Sequence, residues 1–95
     1  MHYRMTKVHH NADARQKMID HLSTMDELIR SIEGLKNVKL IKVSDTSSMA
    51  ISEYDNEQQV VEAEEKFNKV MAGMMQFMTA PPEINNGDVF WQLNQ

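Results

Sequence analysis

The sequence predicts an α+β fold whose elements follow the order strand, helix, strand, strand, helix, strand. Three observations predict this order. Apolar and β-branched residues lie on both sides of the short polar run 44–48, as they do in two strands joined by a turn. A long amphipathic segment lies on each side of this hairpin, and a short strand-like run lies near each end of the chain. We expect the 95 residues to form one domain, residues 1–95.

The first strand and the first helix occupy the N-terminal third of the chain. Tyr3–His10 alternates as a strand does, with Tyr3 and His9 on one face and His10 on the other. An apolar stripe at helical spacing follows in Met18, Leu22, Met25, Ile29 and Ile32. A capping-box pattern at positions 24 and 27 indicates a break in this helix near residues 23–24. Gly34 ends the helix, because glycine readily adopts the left-handed conformation at that position.

The central hairpin, Val38–Tyr54, leads into the second helix. Asn56 is the expected N-cap of this helix, and it has capping-box spacing to Gln59. The second apolar stripe consists of Val60, Ala63, Phe67, Val70, Met71, Met74 and Met78. Prolines 81 and 82 end the helix. An asparagine–glycine turn at 86–87 is then expected to precede the last strand, Val89–Leu93.

Two strand–helix–strand crossovers in one small sheet predict a ferredoxin-like βαββαβ arrangement, an antiparallel four-stranded sheet with two helices on one face. The hairpin strands carry apolar residues on both faces, yet the chain supplies helices for one face only. A bare second face would expose a contiguous apolar patch. We therefore expect a homodimer that is joined through the open sheet face, because a twofold axis lets each sheet cover the other.

Composition excludes several kinds of site. The chain has no cysteine, so it can form neither disulfides nor thiolate metal sites. No apolar run is long enough to span a membrane, and the N-terminus lacks the apolar core of a signal peptide, so we expect a cytoplasmic protein without membrane contact. Residues 1–43 carry eight basic and five acidic residues, and residues 44–95 carry two and nine. The basic residues are dispersed, so nucleic-acid binding is not expected.

Four stretches carry a resemblance to a known family. They are Glu33–Leu35 before the second strand, Ile51–Glu57 from the third strand into the second helix, Met71–Pro82, and Val89–Trp91. With these stretches the chain resembles the dimeric α+β barrel superfamily, which includes the antibiotic-biosynthesis-type monooxygenases. The resemblance implies a homodimer whose two sheets face each other, with a cavity for a small organic ligand between each sheet and its helices.

The superfamily also implies limits on the chemistry. Its members include cofactor-independent oxygenases, lactone isomerases, haem-degrading oxygenases and proteins without known activity. The haem-degrading members bind iron through a histidine on the second helix, and no histidine lies between Glu57 and Thr79. His9 and His10 point to opposite faces of a strand and cannot bind one ion together. We therefore expect no metal, haem or other cofactor.

Three residues are candidates for proton transfer, each with a structural alternative. His9 is a candidate base because histidine titrates near neutral pH, but it also suits a hydrogen-bonded structural role. His21, at the edge of the first apolar stripe, either enters a cavity or covers the core. Glu64 interrupts the inward stripe of the second helix, where a carboxylate is either a desolvated base or extends along the edge of the stripe to water.

The candidate ligand-binding residues are large apolar or aromatic side chains: Tyr3, Tyr54, Met71, Met74 and Trp91. The methionine spacing equally suits core packing, since methionine fills irregular cores well. Two classes of function remain open. The first is a cofactor-independent monooxygenase or isomerase that acts on a small apolar or aromatic substrate. The second is a non-enzymatic dimeric module for ligand binding or assembly.

Overall fold

The strands and helices follow the predicted order, although each predicted helix is divided into two shorter helices. The computed structural model describes residues 1–95. Its regular elements are β1 His2–His9, α1 Arg15–Thr24, α2 Asp26–Arg30, β2 Leu35–Ser44, β3 Ser47–Tyr54, α3 Glu57–Glu62, α4 Glu64–Met74 and β4 Glu83–Asp88. A single turn of 3₁₀ helix, Met75–Phe77, follows α4. None of the helices has the length and hydrophobicity that a membrane span requires.

The four strands form one antiparallel sheet in the order β2-β3-β1-β4, which confirms the predicted α+β topology. His2 on β1 lies opposite Tyr54 on one side and Asp88 on the other. The even-numbered side chains of β1 are buried and the odd-numbered ones are half-buried. The helices therefore cover the face that carries His2 and Val8. We call the other face, which carries Tyr3 and Met5, the open face.

Two apolar clusters hold the helices on the sheet. One consists of Val8, Ala14, Met18 and Met74, with Leu22, Phe77 and Met78 packed against it. The other consists of Ile32, Tyr54, Val60 and Ala63, with Leu35 packed against it. Burying a side chain of this size stabilises the fold by roughly 1.5–3 kcal/mol. The clusters remain separate because side chains from both of them border a cavity that lies between the sheet and the helices.

Three of the predicted local signals at the helix ends agree with the structure. The prediction that prolines 81 and 82 end the second helix was wrong, since α4 already ends at Met74 and the 3₁₀ turn that follows it ends at Phe77. The first helix breaks at Met25, one residue beyond the predicted position. Gly34 has a φ of 82°, as expected for the left-handed end of a helix. The Asn56 side chain accepts a hydrogen bond from the Gln59 backbone N–H at 3.1 Å, which confirms the predicted N-cap. The Gln59 side chain in turn accepts from the Asp55 backbone N–H at 2.9 Å.

The prediction of the last strand was wrong. The strand is Glu83–Asp88 rather than Val89–Leu93, and the predicted asparagine–glycine turn pairs with β1 instead. Pairing along a sheet edge uses backbone groups, so asparagine and glycine can take part, and the buried His2 ring holds this segment through side-chain contacts with Asn86 and Asp88. Residues 89–95 follow without regular structure, and their large side chains are exposed.

Candidate functional site

A cavity of about 480 Å³ lies between the sheet and the helix layer. Sixteen of the 23 residues that line it are hydrophobic, so the site suits an apolar ligand. Its volume falls within the range of about 300–1,000 Å³ that is usual for small-molecule sites. Val38 and Leu40 of β2 line the cavity but are 42% and 50% exposed. The cavity therefore opens over β2, the edge strand that the helices leave uncovered.

One group of polar side chains on the cavity wall lies where α1 approaches the β2–β3 turn. Arg15 and Ser48 both line the cavity there, and the buried His10 lies behind Ser48. The Ser48 Oγ atom is 2.9 Å from His10 Nε2. Arg15 donates to the same oxygen from Nε at 3.2 Å and from Nη2 at 3.1 Å. Arg15 Nη2 also donates to the backbone oxygens of Ser44 and Ser47, which holds α1 against the turn.

The hydrogen bonds of His10 determine which of its nitrogens carries the proton. His10 Nδ1 lies 2.8 Å from the backbone oxygen of Asn11. A carbonyl oxygen can only accept, so Nδ1 is the donor and a neutral imidazole keeps its lone pair on Nε2. The Ser48 hydroxyl therefore donates to His10 Nε2. The Ser48 oxygen is at the same time an acceptor for two N–H groups of Arg15, which favours negative charge on that oxygen.

A buried cation, Arg4, lies behind the cavity wall. Its guanidinium is 3.8 Å from the centroid of the Phe67 ring and 5.7 Å from that of Tyr54. Arg4 Nη2 donates to the backbone oxygen of Val60 at 3.1 Å, but the buried Nη1 has no partner. Burial lowers the pKa of Arg4, while burial raises the pKa of Tyr54. The two aromatic rings thus hold the cation beside residues of the cavity wall.

Three of the predicted ligand-binding residues line the cavity, namely Tyr54, Met71 and Met74. Tyr3 lies instead on the open face, where its hydroxyl donates to Glu53. Trp91 is 73% exposed in the C-terminal segment and does not reach the cavity. Its predicted position depended on a strand at Val89–Leu93, and that strand forms earlier in the chain.

None of the three predicted proton-transfer residues borders the cavity. His9 lies on the open face, where its Nε2 is 2.7 Å from a Glu83 carboxylate oxygen. His21 packs beside Gly73, and its Nε2 lies 3.2 Å from the Val70 backbone oxygen.

Glu64 is exposed at the start of α4, so the expectation that it interrupts the inward stripe was wrong. The buried line of α3 and α4 passes through Ala63 instead, because the two helices join at that residue.

The sequence interpretation missed the group formed by His10, Ser48 and Arg15. Strand alternation already placed His10 on the face opposite His9, and the burial of β1 shows that this is the face covered by helices. From the sequence, Ser48 was assigned to the polar turn of residues 44–48, because serine is common in turns. Only the register of β3 brings its side chain back towards the end of β1.

Solved structures of other proteins share this architecture. A monooxygenase of Streptomyces coelicolor, solved in complex with nanaomycin D, superimposes with a TM-score of 0.79 at 15% identity, over 99% of this chain and 91% of that one. An assigned antibiotic biosynthesis monooxygenase of Bordetella bronchiseptica gives 0.78 at 8% identity, over 95% and 97% of the two chains. The chain has the fold of the antibiotic biosynthesis monooxygenases. The resemblance predicted from the sequence is therefore confirmed for the fold.

The monooxygenase fold also occurs in proteins without an assigned activity. A protein of unknown function from Nitrosomonas europaea gives a TM-score of 0.74 at 12% identity, over 99% of this chain and 93% of that one. No protein-family model and no curated protein matches the sequence. At these identities the monooxygenase fold is shared, and the activity of this chain must be argued from its own cavity.

Proposed function

We propose that the protein binds a small apolar or aromatic organic molecule in the cavity and acts on it as a cofactor-independent monooxygenase or isomerase. The observation that carries this proposal is the apolar cavity of about 480 Å³, with Arg15 and Ser48 bonded to each other on its wall. An apolar site with a small number of oriented polar groups is the usual form of a small-molecule site. The fold shared with antibiotic biosynthesis monooxygenases supports the oxygenase form of the proposal.

The cavity suits chemistry in which the substrate supplies the electrons. When oxygen converts an activated CH₂ group into a carbonyl, one oxygen atom enters the product and the other leaves as water, so no external reductant is needed. Such a substrate is electron-rich and aromatic, and it matches an apolar lining. We propose that Tyr54 contacts it through its ring and hydroxyl, and that Met71 and Met74 form an adaptable wall. We expect the reaction to need no metal, and elemental analysis of active protein tests this.

A cavity-filling variant tests whether the ligand binds here. Ala50 lines the cavity, so Ala50→Leu should reduce its volume and abolish binding of 1-naphthol, measured by titration calorimetry. Ala72 is exposed on α4, so Ala72→Leu is the matched control and should bind as the wild type does. Equal binding by both variants would contradict the cavity as the ligand site.

Oxygen uptake separates the two classes of function. The wild-type protein should consume oxygen in the presence of an aromatic compound that carries an activated CH₂ group, or isomerise that compound, and Ala50→Leu should do neither. Binding without any turnover would favour the non-enzymatic ligand-binding module. The expected difference is large, because a filled cavity prevents the close approach that the reaction requires.

We also propose that two copies join through the open face. Its centre is apolar, with Met5 paired opposite Ile51 and with Ile41 paired opposite Met49. Charged residues of both signs surround this patch, and they include Lys7, Lys39, Glu53 and Glu83. A twofold axis would bring the apolar centres together and allow opposite charges to pair around them. Since β2 lies at the edge of the same sheet, the partner would also approach the opening of the cavity.

A further inference from the structure

The group formed by His10, Ser48 and Arg15 contains three features that packing alone does not require. His10 is 1% exposed, and in its neutral form it directs a lone pair on Nε2 at the Ser48 hydroxyl. That hydroxyl lies on the wall of the apolar cavity. Arg15 lines the same wall and forms no ion pair with any carboxylate of the chain. A base, a hydroxyl and an uncompensated cation therefore meet at one end of the cavity.

We propose that His10, acting through Ser48, removes a proton from a weakly acidic hydroxyl of the ligand, and that Arg15 stabilises the resulting anion. This inference rests on the proposed function and names its substrate class, which is a phenol or an enol with an apolar body. The apolar body occupies the cavity, and the acidic hydroxyl lies against Ser48. Loss of that proton makes the aromatic ring or enol more electron-rich, which is what reaction with oxygen requires.

The proton moves in one concerted relay. One Arg15 N–H group shifts its hydrogen bond from the Ser48 oxygen to the ligand oxygen, which frees a lone pair on Ser48. The O–H bond of the ligand breaks as its proton passes to that lone pair of the Ser48 oxygen. The original O–H bond of Ser48 breaks as that proton passes to His10 Nε2, where a new N–H bond forms. The imidazolium keeps its Nδ1–H hydrogen bond to the Asn11 oxygen. The ligand leaves this step as an anion beside the Arg15 guanidinium, and Ser48 is again a hydroxyl.

The charges around the relay favour the product of this step. In the free protein, Arg15 donates only to neutral oxygens, those of Ser44, Ser47 and Ser48. Lys42, the other cation on the cavity wall, has its ammonium 3.3 Å from a carboxylate oxygen of Asp45. An anionic ligand would give Arg15 its charged partner in a site of low polarity, where such a pair is stronger than in water.

A coloured phenol tests the relay. We choose 4-nitrophenol, whose ionised form is recognised by its absorbance, at a pH equal to its own pKa, where half of the free probe is ionised. For probe bound to the wild type, we expect the ratio of ionised to neutral form to rise at least about tenfold, because His10 takes up the proton and its imidazolium and Arg15 both lie near the anion. His10→Gln and Ser48→Ala should abolish most of this enrichment. Ser47→Ala is the matched control, since the Ser47 hydroxyl bonds Ser44 and not His10.

The outcomes separate this inference from the proposed function. Binding of the probe with an unchanged ionised fraction overturns the relay and leaves the cavity as a ligand site. Enrichment that persists in both His10→Gln and Ser48→Ala also overturns the relay, because Arg15 would then act alone. Failure of the wild type to bind 4-nitrophenol at all contradicts the cavity as a ligand site, and the relay with it.

A measurement on the wild type avoids dependence on variants that fold poorly. In nitrogen-15 spectra of histidine-labelled protein, His10 Nε2 should change from a hydrogen-bond acceptor to a protonated nitrogen when 4-nitrophenol binds. A purely structural His10 would keep its neutral form, because a structural hydrogen bond does not need the second proton. An unchanged Nε2 signal at saturating probe overturns the inference.

Discussion

His2 Nδ1 and Asp88 Oδ1 lie 2.6 Å apart and join the first strand to the last. The other ring nitrogen of His2 lies 2.8 Å from Asn86 Oδ1, so the buried ring faces an oxygen at both of its nitrogens. An imidazolium satisfies both contacts as a donor. The hydrogen bond to Asp88 raises the pKa of His2 above its ordinary value of 6.5, although burial opposes the rise.

The first prediction is that stability falls as the pH rises past this pKa. A raised pKa in the folded state means that the contribution of His2 is fully present below about pH 6.5 and is lost as the pH rises through the higher, folded-state value. Because Asp88 is exposed, we expect a loss of about 1 kcal/mol in the free energy of unfolding. Urea unfolding at several pH values measures this loss. The variant His2→Gln has no such proton, and an unchanged slope in that variant would contradict the prediction.

The second prediction concerns Gly34 at the end of the first helical segment. Its φ of 82° disfavours any other residue, and an added Cβ would overlap the side-chain amide of Gln59. Gly34→Ala should therefore lower the free energy of unfolding by about 2 kcal/mol, because the Gln59 hydrogen bond to Asp55 must also shift. Gly87→Ala is the control, since a Cβ there meets no atom within 4 Å. Equal urea midpoints for both variants would contradict the explanation that the positive φ of Gly34 and its contact with Gln59 require glycine.

The third prediction separates the charge of Arg4 from its packing. The buried Nη1 has no partner, so the charge costs free energy, while the side-chain stem fills space beside Tyr54 and Phe67. Arg4→Met should keep the stability within about 1 kcal/mol of the wild type, whereas Arg4→Ala should lose about 2 kcal/mol or more. Thermal and urea unfolding measure both. If Arg4→Met is as unstable as Arg4→Ala, then the contacts of the charge with Val60 and Phe67 stabilise the fold.

The fourth prediction tests the homodimer. Ile51 lies in the apolar centre of the open face, so Ile51→Glu should weaken association at least about 100-fold. Sedimentation equilibrium at micromolar concentration should give a dimer for the wild type and the monomer mass of 11.0 kDa for this variant. Val61→Glu alters a residue on α3 that is 56% exposed, and it should remain dimeric. A wild type that sediments at the monomer mass would rule out the dimer.

Much of the fold could be predicted because its signals are local. Gly34, Asn56 and Gln59 act on backbone groups within a few residues of themselves, and their spacing is visible in the sequence. The last strand could not be predicted in this way. Its selection depends on the free edge of β1 and on a histidine 86 residues away in the chain, and neither is a local property.

By itself the sequence determined the order of the elements, the two apolar stripes, the helix caps and the likeness to the monooxygenase fold. The order, the stripes and the caps follow from residue periodicity and short-range hydrogen bonds, which do not depend on distant parts of the chain. The likeness is a resemblance to a known family, carried by four short stretches of the sequence. Only the tertiary structure decided which polar residues reach the cavity. His10 directly follows β1, Ser48 lies on β3 and Arg15 begins α1, and the register between β1 and β3 brings His10 and Ser48 within hydrogen-bond distance. Glu64 and His9 carry similar chemistry but lie outside the cavity, because strand register and helix joints, rather than residue type, determine which side chains face it.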